Sequence, residues 1–585
     1  MDESARRGRA MGRIAEMLKS EFGVDSPREF QLDCIYKLAF LRTTLLCVEK
    51  TGGGKSLVVL GATAFLMGIA LVIEPLLAVG ADQRNSAHKA CERWGGSGII
   101  PIHLDELSDE DSEILAKRLN GLKKRRQATV VLWASPQSLK KEIWSGVLDH
   151  LFSMGLISLV GVDEAHSVPA SRFYRPEFAD LEQTLIRKMA SSPRPVSFVS
   201  MTATFNRRAV EDYKNMLKLL AHGFNFDFIW WGGVDRRDVA LSLQVKSKTT
   251  PALKSFTKGH LEVNEDRQVI IYTNDAGRAT KNIPDSIDAT IATMEGYRGD
   301  DVASIHGDMG AVFKAYLARA WGGHETPALK LRALVATKTG EVGLNSQQCG
   351  AVANDGVPES KESFMQKLGR AGRRQLAPGE KPFECLTVLS VPSFTFLVSR
   401  ICHSYSSTAD LKRQMDELLG VMKLLLLSTT CIHQQLEADF GNPYGDGQVL
   451  PLPPCGSMCW VCSHSGPLHP AVGRVSRANI IRALQVVFLG GKVTATKVVE
   501  FVNDSREDIW ELPQGAKMED AHRLVLQLVA AEILDFIAVE NSVEKAARST
   551  IYLKWKMATR ATQRRASSSY LAFEDDARWC GIAHM

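Results

Sequence analysis

The sequence is short of several things. Its net charge is only +5, from 71 Lys and Arg against 66 Asp and Glu. So small an excess permits a nucleic-acid partner without arguing for one, and any basic binding surface must be local. No apolar run reads as a membrane span. The nearest, Leu57 to Ile73, starts directly after a glycine-rich loop and is interrupted by Gly61 and Gly68; it reads as a buried helix running into a buried strand. The opening stretch, MDESARRGRAMGR, lacks the apolar core of a signal peptide, so none is expected. The 11 cysteines in 585 residues are too sparse for a secreted disulfide framework. Four of them fall between Cys431 and Cys462, which suits an intracellular chain with one metal site. Repeats at solenoid spacing and long low-complexity tracts are also missing. What remains is ordinary globular composition, 45% hydrophobic and 23% charged, at a length that suggests roughly three to five domains.

Short apolar runs recur between residues 40 and 205: TTLLCV (43–48), IALVIEP (69–75), TVVLWAS (129–135), ISLVGVD (157–163) and VSFVSMTA (196–203). Each is separated from the next by a helical pattern, and that alternation predicts a parallel sheet buried on both faces. A second series begins with QVIIYTN (268–274) and LRALVAT (331–337), and Asp235 to Thr250 reads as the connector. Two α/β units in tandem create a cleft suited to a ligand. Residues 408–437 read as helical, a Gly/Pro-rich loop covers 441–456, and a compact unit spans roughly 474–557. The tail from 566 is expected to be poorly ordered.

TGGGKS (51–56) follows an apolar strand and opens a helix. Backbone N–H groups at such a helix start bind phosphate, and glycines let the backbone come close. Thr51, Gly52, Gly53 and Gly54 would form the cradle, Lys55 would reach the β- and γ-phosphates of ATP, and Ser56 would ligand Mg²⁺. Glu49 stands where a small residue is usual, and Lys50 is unexpected too. DEAH (163–166) closes the strand ISLVGV. Asp163 there is placed to hold Mg²⁺, Glu164 to orient and activate water, and His166 to couple the site to the neighbouring domain.

With these two motifs on tandem α/β units, the chain resembles a superfamily-two helicase, and its flanking motifs narrow the resemblance to the RecQ DNA helicases over roughly residues 18–465. LKSEFGVDSPREFQ (18–31) is similar to the adenine-recognition motif of that family, which implies that Gln31 reads the adenine edge and Arg28 packs on the base. EPLLAVGADQ (74–83) and SPQSL (135–139) resemble its DNA-contacting segments, and SMTAT (200–204) resembles motif III. VIIYTN (269–274), SIHGDM (304–309) and VATKTGEVGLN (335–345) resemble the later motifs. QKLGRAGRR (366–374) resembles motif VI, which implies that Arg370 and Arg373 face the γ-phosphate, Arg373 as the finger. The chain departs from the family after DEAH. SVPASRFYRPEF (167–178) keeps Arg175, Pro176 and Glu177, with Phe173 and Tyr174, but lacks the Trp and His of the family's longer aromatic loop. Arg374 stands where the family carries Asp.

Cys431, Cys455, Cys459 and Cys462 give C-x23-C-x3-C-x2-C, a donor set suited to a closed structural Zn²⁺, with His433 and His464 as substitutes for one ligand. The order of these cysteines is similar to the RecQ zinc subdomain. The C-terminal stretches 491–502, 519–534 and 534–555 suggest helices followed by a two-stranded wing, like a degenerate RecQ winged helix. Lys545, Arg548, Lys554, Lys556, Arg560, Arg564 and Arg565, with Tyr552 and Trp555, read either as a nucleic-acid contact or as a solvated face. KKRR (123–126) reads first as a solvated helix end, with a loop contact or a nuclear signal as alternatives.

The resemblance therefore implies an α/β chain of two tandem RecA-like domains (1–235 and 236–400), a helical zinc-binding subdomain (401–470), a winged-helix-like unit (471–560) and a basic tail (561–585). It implies an ATP-dependent 3′-to-5′ DNA helicase acting on single-stranded and forked DNA in recombination, repair, telomere or mobile-element maintenance. Such a protein would be nuclear in a eukaryote and cytoplasmic otherwise. The alternatives are a hydrolysis-deficient DNA-binding protein of the same fold and an RNA-directed motor.

Overall fold

A computed structural model describes residues 3–49, 53–74, 99–125, 129–171, 176–178, 180–230, 236–262, 267–292, 294, 301–323, 331–338, 344, 346–374, 376, 380–404, 408–441, 453–463, 493–504, 518–532, 534–540 and 549–555.

The first domain carries seven strands: β1 Thr44–Val48, β2 Ile69–Ile73, β3 Ile100–His103, β4 Val130–Ala134, β5 Ile157–Val162, β6 Ser197–Thr202 and β7 Phe226–Trp230. They form one sheet in the order β3-β4-β2-β5-β6-β1-β7, and every pairing is parallel. β2, β4, β5 and β6 are buried along their whole length. Their apolar runs do not alternate because both faces are covered by helices. The two faces still separate by the pleat of the strands: Leu46 and Val48 enter one core cluster, Leu45 and Cys47 the other.

The second domain has β8 Val239–Val245, β9 Gln268–Thr273, β10 Val302–Ile305, β11 Ala333–Ala336, β12 Cys349–Asp355 and β13 Phe383–Leu389, ordered β10-β11-β9-β12-β13-β8. This sheet is also wholly parallel. The same pleat rule sorts Ile270 and Tyr272 from Val269 and Ile271. The expected connector at 235–250 is corrected here. β8 lies inside it as the edge strand paired to β13, and its one-sided burial explains why no continuous apolar run announced it.

Leu57 to Ile73 folds as expected, a buried helix Ser56–Leu66 followed by β2. Among the described residues no helix is long and apolar enough to cross a membrane. The helices Thr408–Leu426 and Ile432–Phe440 form the helical subdomain. The helices Ala495–Asp504 and Met518–Ala530 precede a hairpin of β15 Leu534–Glu540 and β16 Ser549–Trp555, with β14 Val493–Thr494 added to β16. This C-terminal unit is not set apart. Leu524 and Leu528 share one core cluster with Leu418, Val421 and the second sheet. Gln527 Nε2 donates to the Leu426 carbonyl (3.3 Å) and Lys423 pairs with Glu532 (2.6 Å).

The KKRR reading also needs correction at Arg125. Its guanidinium turns inward and donates to the carbonyls of Gly155 (2.7 Å), Ile157 (2.7 Å) and Pro195 (3.3 Å). Burial, with Arg42 and Arg194 nearby, pushes it down to about 10.

Candidate active site at the domain cleft and a four-cysteine cluster

In a parallel sheet the loops after the carboxyl ends of the strands gather the ligand groups. β1 delivers Glu49, and after the turn Gly53, Gly54 and Lys55 lead into the helix Ser56–Leu66. Gly54 has φ +85, and a Cβ there would stand 2.6 Å from Gln31 Nε2, so glycine is required twice over. Lys55 Nζ donates to the Glu49 carbonyl (2.8 Å), and two further N–H donors of the ammonium can reach a phosphate. Thr51 and Gly52 lie outside the described residues.

The segment that resembles an adenine-recognition motif sits directly on this loop. Arg28 Nη1 donates to the Gly53 carbonyl (2.8 Å), Gln31 Nε2 to the Gly54 carbonyl (3.1 Å), and the Arg28 N–H to Gln31 Oε1 (2.8 Å). A carboxamide has two N–H groups and two oxygen lone pairs, so one of each stays free for a base edge.

Asp163 and Glu164 follow β5 beside the loop. The Asp163 N–H donates to the Ile73 carbonyl (2.9 Å), and Asp163 Oδ1 accepts from the Glu164 N–H (2.9 Å). Glu164 has φ +44, a conformation that costs a non-glycine residue energy and that clusters at functional sites. Burial would raise the Glu164 carboxyl, but His166, Lys55, Arg370 and Arg373 between them hold it below the ordinary carboxylate value. Burial pushes His166 below the ordinary imidazole value although Glu164 opposes the shift.

His166 bridges the two sides of the cleft. Its Nδ1 lies 2.8 Å from Thr202 Oγ1 and 3.4 Å from Glu164 Oε2, and its Nε2 meets the Gln366 side-chain amide of the second domain. An amide N–H can only donate, so Nε2 accepts and Nδ1 carries the proton given to Thr202. DEAH, SMTAT and QKLGRAGRR are therefore joined at one imidazole.

Arg370 is buried and donates to the Leu344 carbonyl (2.9 Å), and its charge and that of Arg373 both reach Glu164. Gly372 lies between them at φ +65, where a Cβ would meet the Phe383 ring at 2.3 Å and Arg236 Nη2 at 2.7 Å. Arg236, which sequence reasoning missed, donates to the carbonyls of Ala371 (2.7 Å) and Gly372 (3.0 Å) and so fixes this turn. Arg374 points elsewhere, forming a two-pronged pair with Glu380 over the Phe383 ring.

Two further contacts tie the first domain to the rest, one to the helical subdomain through Arg413 and one to the second domain through Glu362. Arg413 pairs with Asp212 (2.7 Å), and the Asn206 amide donates to Glu362.

The segments expected to touch DNA fare unevenly. In SPQSL, Ser135 and Ser138 turn inward onto Asp105 (2.5 Å each), a partner that sequence alone did not single out. Of EPLLAVGADQ only Glu74 is described, and it is buried. Phe173, Tyr174, Arg175, His464, Lys545, Arg548, Lys556, Arg560, Arg564 and Arg565 lie outside the described residues, as do the side chains of Tyr552, Lys554 and Trp555.

Cys431, Cys455, Cys459 and Cys462 place their sulfurs within 4.8 Å of one another. A tetrahedral Zn²⁺ with bonds of about 2.3 Å separates its sulfurs by about 3.8 Å, so this cluster fits the ion. The N–H groups of Cys455 and Cys462 donate to the sulfurs of Cys431 and Cys459 (3.4 Å each). Against burial, which would raise it, such donors bring the Cys431 thiol down to about 7. His433 faces the Met458 carbonyl (3.4 Å) instead, and among the described residues the cluster consists of the four cysteines. Cys459 also bridges to Leu241 in β8, which ties the metal site to the second sheet.

The DEAD/DEAH box helicase family matches residues 28–213, and the helicase conserved C-terminal domain matches residues 252–375. The chain is 23% identical over 518 residues to ATP-dependent DNA helicase Q-like 2 of Arabidopsis thaliana, covering 88% of this chain and 65% of that one. It is 24% identical over 461 residues to ATP-dependent DNA helicase RecQ of Bacillus subtilis, covering 78% and 68%. It thus spans about two thirds of the length of these relatives. Among solved structures, the helicase Lhr of Mycobacterium smegmatis, bound there to ssDNA and AMP-PNP, aligns with a TM-score of 0.51 at 18% identity, over 68% of this chain and 50% of that one. That last likeness is one of fold.

Proposed function

We propose that this chain, a RecQ-like protein built from a DEAD/DEAH box helicase domain and a helicase conserved C-terminal domain, is an ATP-driven DNA helicase that moves 3′ to 5′ on a single strand and opens forked duplexes. The observation that carries the reading is the His166 junction, where the residues around the hydrolytic Glu164 touch the second domain through Gln366. When bound, ATP with Mg²⁺ supplies the phosphoryl group and the charge neutralisation for its transfer. Lys55 would bind the phosphates, and Ser56 and Asp163 would hold the Mg²⁺. Gln31 and Arg28 select the base. Glu164, kept ionised by the surrounding cations, accepts a proton from the attacking water. Arg373, with Arg370 behind it, steadies charge on the phosphate oxygens from across the cleft. Each round of closing and opening then shifts one domain against the other along the strand. Its role in recombination, repair, telomere or mobile-element maintenance and a nuclear address in a eukaryotic cell belong to the same proposal.

Duplexes with a 3′ or a 5′ single-stranded tail, in DNA and in RNA, test it. ATP-dependent opening confined to 3′-tailed DNA is the expected result. Opening of RNA alone, or of 5′-tailed DNA alone, contradicts it.

A further inference from the structure

Glu49 is the residue of the phosphate loop that the function above does not absorb. It follows β1, its N–H donates to the Thr202 carbonyl (3.1 Å), and its side chain is only 6% exposed. A carboxylate so deeply placed beside a triphosphate site is unfavourable unless a cation faces it. Arg28 does: Nη1 stands 4.0 Å from Glu49 Oε1. The same Nη1 donates to the Gly53 carbonyl (2.8 Å). The guanidinium is thus held from two sides, by a buried charge at the start of the loop and by a carbonyl in its middle. Its own side chain is 51% exposed.

We infer that Glu49 is a positioning residue for Arg28: its carboxylate orients the guanidinium over the phosphate loop, where it packs on the purine base, and so sets nucleotide affinity and base selectivity rather than turnover. This rests on the reading of the cleft as an ATP site. It gives a purpose to a residue that is out of pattern for a phosphate loop. The guanidinium is planar and delocalised, so its orientation matters for stacking in a way that a bare charge would not.

The test uses the full chain and compares Glu49→Gln, Arg28→Ala and the double variant, in steady-state hydrolysis of ATP and GTP and in binding of a fluorescent ATP analogue. Because Arg28 is half exposed, the pair is screened. The expected rise in KM for ATP is therefore about two- to fivefold in Glu49→Gln, with kcat barely moved and the preference for ATP over GTP reduced. The double variant should be no worse than Arg28→Ala alone, because Glu49 acts through that arginine. A fall in KM would overturn the inference, since it would mean that the carboxylate merely repels the triphosphate. Additive penalties would overturn it too, as would a loss of kcat at constant KM. If Glu49→Gln fails to fold, Arg28→Lys carries the test: it keeps the charge, loses the planar fork, and should show the same rise in KM, and an unaltered KM would overturn the inference. Wild-type protein that binds no nucleotide would remove the ATP-site reading and this inference with it. Failure of the inference alone leaves wild-type turnover intact.

Discussion

The side-chain amide of Gln366 donates to His166 Nε2, and this contact links the second domain to the strand end that carries Glu164. Replacing Gln366 by Ala should leave ATP binding near wild type while slowing hydrolysis about 10- to 100-fold, the cost of a buried donor–acceptor pair left half made. Comparison of nucleotide binding with turnover in the same preparation checks it. Equal losses in both would assign Gln366 to binding.

Lys55→Ala should abolish hydrolysis in a folded protein. Glu164→Gln should still bind ATP but turn it over about 10²–10⁴-fold more slowly, the usual range for loss of a general base. A Glu164→Gln protein that no longer binds nucleotide would give Glu164 a different role.

Gly372→Ala should disable hydrolysis without touching the first domain. The added Cβ meets both Phe383 and Arg236, and the positive φ adds about 1–2 kcal/mol of strain. The turn that presents Arg373 has to move. A thermal melt together with a turnover assay reads both effects, and wild-type activity in this variant would show that the turn does not set the arginine.

Acid should inactivate the site before it unfolds the protein. The pKa of His166 is lowered from its ordinary value of about 6.5 and that of Glu164 from about 4.5. Both groups bind protons more weakly in the folded chain, so each contributes stability that is full above its unfolded value and lost as the pH falls through its folded one. Turnover should therefore hold from pH 8 down to about 6.5 and drop below it, as His166 gains a proton and loses its acceptor for Gln366. A profile that falls already above about pH 7 would contradict this.

The cysteine cluster should carry one Zn²⁺ per chain, and Cys459→Ser should loosen residues 408–470 first, because metal binding is folding energy for a loop with little core of its own. The Cys459 bridge to Leu241 extends the expected damage to the edge strand β8. Metal analysis of protein purified without chelator, then limited proteolysis of the variant, decides it. Less than about half an equivalent of zinc, with unaltered cleavage, would remove the site.

Much of this was legible in the sequence, for identifiable reasons. The central strands are continuous apolar runs because both faces are buried, and TGGGKS and DEAH are local patterns at strand ends. β8 was not legible, since an edge strand half-open to solvent carries no such run. Arg236, Asp105 and Arg125 escaped because their roles depend on partners distant in sequence: Ala371, Ser138 and Gly155. Glu49 is out of pattern for a phosphate loop in sequence, because the cation that faces it, Arg28, comes from a different element.

The central claim is that the cleft hydrolyses ATP and that DNA drives it. Hydrolysis by purified wild-type protein, measured without nucleic acid and then with saturating single-stranded DNA or RNA, tests this most directly. The account predicts weak basal turnover that single-stranded DNA raises at least about tenfold, equivalent to roughly 1.4 kcal/mol off the barrier. It is contradicted by an absence of hydrolysis in either condition, or by a rate that DNA leaves unaltered.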